Sequence, residues 1–123
     1  MIEIRITIDT ALSLLLERMK LELRIRQKEK RIMPGVKLEE LPQKMLKDIV
    51  ETAVFDTIFL LPIDLITTET NLVQIITSTI RALAKVLNRE EFLLYSSKQS
   101  QRLINPINIY FQNYLKENNF SNN

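Results

Sequence analysis

Leu72, Ile75, Ile76, Ile80, Leu83, Ala84 and Leu87 recur at spacings of three and four. That is the repeat of one helix face, and a chain that carries it has to bury the face against something. A second series, Leu12, Leu16, Met19 and Leu23, has the same period, with Glu17, Lys20, Glu22 and Arg24 on other faces. A third runs through Met45, Ile49, Thr52, Val54, Phe55, Ile58 and Phe59 and broadens to nearly the full circumference, as a central helix packed on several sides would. The expected fold is all-α, a four- to five-helix bundle-like domain with a long basic-ended N-terminal helix. With 123 residues, 46% apolar and 26% charged, the chain suits one globular core and not two, so 1–123 is read as a single helical domain with 118–123 as a frayed tail.

The helix limits follow from local signals. Asp9 or Thr10 caps the first helix, which is predicted to reach about Ile32 before Pro34 and Gly35 turn the chain. Pro42 fits the first turn of a second helix that Pro62 ends after about Leu61. Asp64, Thr67 and Thr68 are candidate caps for the third helix. Asn88 and Glu91 have the spacing of a capping box, so a fourth helix with Phe92, Leu93 and Tyr95 restarts there or the third simply continues. Asn105 and Pro106 are read as the opening of a last helix with Ile109, Tyr110, Tyr114 and Leu115. At the other end, Ile2, Ile4, Ile6 and Ile8 alternate with polar residues. They make either the first turns of helix one or a short strand over residues 2–8 that pairs with its copy in a dimer.

Composition narrows the chemistry. The chain has neither cysteine nor histidine, which removes the commonest general base and the usual zinc ligands. Gly35 is its one glycine, so no phosphate-cradling glycine loop can be built. Asp56 and Asp64 stand in apolar surroundings, but Pro62 between them prevents their sharing successive turns of one helix. Glu39, Glu40, Glu90 and Glu91 fall where helices start and negative charge is favoured. No catalytic residue, metal ligand or cofactor is therefore expected. The opening residues lack a basic leader and a long apolar run. The most apolar window, 53–66, is too short for a bilayer and is interrupted by Asp56, Pro62 and Asp64, so a cytoplasmic protein without a membrane partner is expected.

Two surfaces remain as candidates. The stretch from Arg18 to Arg31 is strongly basic, and Arg24, Arg26, Lys28, Lys30 and Arg31 are candidate contacts for a partner or for nucleic acid. Cations at a helix C-terminus also offset its dipole, and Gln27 is the only amide nearby that could read a base edge. Leu12, Leu16, Met19 and Leu23 are a candidate seam for a second copy, if they are not spent inside the protomer. Phe92, Tyr95, Tyr110, Phe111 and Tyr114 have the spacing of core residues more than of a groove lining. The alternation over 2–8 followed by a helix resembles the opening of ribbon-helix-helix DNA-binding dimers, whose paired strands would present Glu3, Arg5 and Thr7 outward. The family's first helix stops early for a turn, whereas helical character here persists from Thr10 to about Ile32, and the resemblance goes no further. The functional expectation is a non-enzymatic helical protein–protein interaction module, such as an adaptor, assembly factor, inhibitor or regulatory subunit, that self-associates. The alternative is a dimeric nucleic-acid-binding regulator.

Overall fold

The computed structural model describes residues 2–58 and 69–106, with side chains over 8–57 and 72–106, and these are helical, with no strand among them. In order come α1 (Ile2–Lys28), a 3-10 turn over Leu38–Glu40, α2 (Gln43–Ile58), α3 (Glu69–Leu87), a second 3-10 turn over Glu90–Leu94, and α4, described over 97–106. Residues 2–8 form the first turns of α1; a strand there would need a second copy to pair with. The expected caps Asp64, Thr67 and Thr68, the stop at Pro62 and the aromatics from Tyr110 onward lie outside the described residues.

At 27 residues α1 is about 40 Å long, enough to pack against both α2 and α3. The role expected of the second helix, contact on several sides, therefore falls to α1, and Met45 of α2 stays exposed. The buried stripe of α1 is Ala11, Leu15, Met19 and Leu23, with Leu12 and Leu16 half-buried beside it. It sits one residue from the expected register because the run from Leu12 to Leu16 offers apolar side chains at neighbouring positions and spacing alone cannot choose among them. Small Ala11 lies where the three helices meet, around an apolar void of about 20 Å³ bounded also by Leu15, Val54, Ile76 and Ile80. Thr57 and Thr79 border the void too. Their hydroxyls donate to the carbonyls of Ala53 and Ile75, so neither threonine has a proton left to give to a water there. Each fully buried leucine or isoleucine here, such as Leu46, Ile49, Ile80 and Leu83, stabilises the fold by roughly 1.5–3 kcal/mol.

One device ends both long helices. Lys30, with φ 64°, and Asn88, with φ 53°, adopt the left-handed conformation just past α1 and α3. The Arg31 amide then reaches back to the Arg26 carbonyl (2.8 Å) and the Arg89 amide to that of Ala84 (2.9 Å), the six-residue bond of a Schellman cap. This is why α1 stops at Lys28 and not at Ile32: the reversal frees Ile32 to bury its side chain. A β-turn follows with Pro34 and Gly35 at its centre, and Gly35 takes φ 86°, which few other residues tolerate.

Asn88 therefore closes α3 and does not open a helix. The N-cap of α4 is Ser96: its hydroxyl accepts from the Gln99 amide (3.2 Å), while the Gln99 side chain accepts from the Ser96 amide (3.0 Å). Asn105 and Pro106, expected to begin the last helix, belong to one that starts about two and a half turns earlier. Pro42 sits one position before the first turn of α2, its carbonyl accepting the Leu46 amide.

Candidate functional site

The basic end of α1 is not one surface. Arg26 turns inward and is 8% exposed, with Nε 3.0 Å from Glu22 and Nη1 2.6 Å from Asp48 of α2. Burial works against its charge, but the bonds to Asp48 and Glu22 outweigh it, and the guanidinium is held more firmly protonated than usual. Arg26 thus joins α1 to α2 and is withdrawn from any partner. Arg24, Lys28, Lys30 and Arg31 remain exposed, and Arg31 is paired with Glu29. Gln27 is also spent internally, donating to the carbonyls of Met33 and Val36 and so tying the following linker to α1.

That linker helps to build a groove. Leu38 and Leu41 tuck under the bundle, and Arg89 reaches across from the end of α3 to the carbonyls of Glu39 and Leu41 (3.3 and 2.6 Å). The same guanidinium pairs with Glu91, and that hydrogen bond draws the Glu91 carboxyl below the usual carboxylate range. Between the pinned linker, α1 and the last turn of α3 lies a groove of about 340 Å³. Leu16, Leu23, Val36, Leu38, Val86 and Leu87 give it apolar walls, and Lys20, Lys37 and Glu39 line it with charge. Val86 is 54% exposed. Of the expected seam, only Leu16 and Leu23 line this groove. Met19 is wholly inside the protomer and Leu12 packs against its core.

A short walk along the chain from the groove, the 3-10 turn Glu90–Leu94 buries Phe92 and leaves Leu93 and Leu94 outside, Leu94 at 83% exposure. Glu90 and Glu91 open the same turn, separated from the two leucines by Phe92. Two adjacent leucines in water carry an apolar hydration cost that no described residue of the same copy relieves. The sequence places Phe92, Leu93 and Tyr95 on a fourth α-helix or on a continuation of the third. A 3-10 turn instead sends Phe92 and Tyr95 inward together and Leu93 and Leu94 outward, because positions three apart eclipse.

α3 presents a second face. Gln74, Thr77, Ser78 and Arg81 follow the same spacing of three and four as its apolar stripe, but on the opposite side. With Ser97 and Gln101 of α4 they line a cleft of about 560 Å³. Asp56, the one member of the rejected carboxylate dyad that lies within the described residues, is exposed, and no three acidic side chains converge as metal ligands would among the described residues. No helix of the described residues is long and apolar enough to cross a membrane. No protein-family model, curated protein or solved structure matches this chain, so its function has to be argued from these surfaces alone.

Proposed function

We propose that this protein is a non-enzymatic helical interaction module that works by self-association. In this reading the exposed turn Glu90–Leu94 of one copy seats Leu93 and Leu94 in the groove of another. The observation that carries the reading is the pairing of complementary features on one chain: a leucine knob preceded by acidic residues, and an apolar groove bordered by Lys20 and Lys37. Glu39 on the groove and the internal pairing of Glu91 with Arg89 trim the charge attraction, which leaves apolar burial as the main driving force. Because each protomer carries both a knob and a groove, a two-fold axis lets each copy give and receive a knob at once.

Magnitudes set the strength. Burying two partly exposed leucines in each direction is worth roughly 4–8 kcal/mol, and the groove walls add a similar amount. Association costs about 4–15 kcal/mol. A weak dimer with a Kd in the micromolar to millimolar range is expected.

The nucleic-acid alternative loses Arg26 to the interior and Gln27 to hydrogen bonds with the linker, and keeps Arg24, Lys28, Lys30 and the Glu29-paired Arg31 as exposed cations, a smaller footprint than the sequence offered.

Sedimentation velocity from about 10 µM to about 1 mM tests self-association. The weight-average mass should rise toward a dimer for the wild type. Leu94→Lys and Val86→Lys should each stay monomeric throughout while unfolding within about 0.5 kcal/mol of the wild type, as exposed positions do. A wild type that remains monomeric across the range, or variants that dimerise unchanged, would overturn the proposal.

A further inference from the structure

The cleft between α3 and α4 calls for a different occupant. Its lining carries many polar groups beside Val73 and the aliphatic stems: Thr77, Ser78 and Ser97 bring hydroxyls, Gln74 and Gln101 bring amides, and Arg81 brings a guanidinium. Among the described residues no carboxylate lines it. At about 560 Å³ it falls within the range that small-molecule sites occupy.

Arg81 is held in place without being neutralised. Its Nε donates to the Tyr95 carbonyl at 2.8 Å, which fixes the plane of the guanidinium, and no carboxylate pairs with it among the described residues. Arg26 and Arg89, by contrast, are both committed to acidic partners. The two terminal nitrogens of Arg81 are therefore positioned to give the fork of parallel hydrogen bonds that an oxyanion accepts.

Beneath it, Thr77 and Ser100 share one hydrogen bond and are both buried, at 6% and 0% exposure. Two hydroxyls hold two protons, and their mutual bond uses one. If Ser100 donates, the Thr77 proton is left to be given into the cleft that Thr77 lines. A guanidinium fork, a buried hydroxyl pair with one proton to spare and no carboxylate among the described lining residues define a receptor for negative charge.

We propose that this cleft binds a small molecule through a phosphate or carboxylate group, with Arg81 holding the oxyanion and Thr77, Ser78 and Ser97 supplying further donors. The inference stands on the α3–α4 face alone and does not depend on self-association. A ligand here would also clamp α4 onto α3, since its partners come from both helices.

Titration of the full chain with inorganic phosphate, glycerol 3-phosphate and malonate, followed residue by residue by amide chemical shifts, tests it. Saturable shifts confined to residues around 74–81 and 97–101 are expected, with the organic anions binding more tightly than inorganic phosphate if the rest of the cleft contributes. Arg81→Gln should weaken binding by about tenfold or more. Because Arg81 also braces Tyr95, Ser78→Asp is the second variant: it places a like charge in the cleft at a half-exposed position, should leave the fold intact, and should abolish the shifts. Shifts scattered over the basic end of α1, binding that Ser78→Asp leaves unchanged, or no saturation with any of the three probes would overturn the proposal.

Discussion

The groove and the cleft are built on the same helix yet differ in nearly every physical respect. In the groove, the last turn of α3 shows Val86 to solvent beside apolar side chains from α1 and the linker. In the cleft, the middle of α3 shows Gln74, Thr77, Ser78 and Arg81. One stripe of α3 is spent on the core, and what flanks or opposes it is free to specialise. Apolar surface left out of a core asks for another apolar surface, whereas a fixed guanidinium with no carboxylate paired to it among the described residues asks for a negative charge. On this account the two sites should respond to separate substitutions and fail together only when α3 itself is displaced.

Ile80→Ala tests that shared dependence and carries the largest expected effect. Ile80 is fully buried at the junction of the three long helices, beside an existing void, so truncation should cost about 2–5 kcal/mol. Urea unfolding should show this loss, and dimer formation and anion binding should weaken in parallel. If one site survived intact in a clearly destabilised protein, the common scaffold would not be α3.

Tyr95→Phe sharpens the comparison from the other end, where little should change. The Tyr95 hydroxyl is buried without a hydrogen-bond partner among the described residues, while its backbone carbonyl is what holds Arg81. Burial, and after it the charge of Glu51, pushes the phenol pKa well above its ordinary 10.0. The folded state thus keeps the proton when the unfolded state has lost it. The stability tied to that proton is complete below pH 10 and declines as pH rises above it. Removing an unsatisfied hydroxyl should leave neutral-pH stability unchanged or raise it by up to about 1 kcal/mol, flatten the alkaline decline and spare anion binding. Urea melts of both proteins at pH 7 and above pH 10 check this. A loss of more than about 1 kcal/mol at neutral pH would mean that the hydroxyl has a partner in the folded protein.

How much of this could be read beforehand differs between the core and the surfaces. The apolar stripe of α3 was plain, since Leu72 to Leu87 repeat without ambiguity and all seven are buried. The polar stripe at 74, 77, 78 and 81 has the same period and was equally present, but polar positions on a helix are ordinarily solvated, and only α4 lying against them makes a cleft. The start of α4 was legible too: Ser96 and Gln99 have capping-box spacing, yet Asn88 and Glu91 share it and drew the assignment. Spacing shows that a cap is possible, and the left-handed backbone at Asn88 decides that it closes a helix. Arg26 illustrates what sequence could not supply. Among neighbouring cations nothing marks the one that faces inward, because its partner Asp48 is in another helix, with a folded linker between them. Leu93 and Leu94 were hidden for a related reason, since their exposure follows from a change from α to 3-10 geometry.

Charge reversal across the presumed contact tests self-association through knob and groove most directly. Lys20→Glu, Glu90→Lys and the two together, each followed by sedimentation equilibrium, form a double-mutant cycle on exposed residues. Each single reversal should weaken the dimer, and the double variant should recover most of the loss because attraction returns with its sign exchanged. Losses that merely add in the double variant would place Lys20 and Glu90 apart in the dimer and contradict the assembly described here.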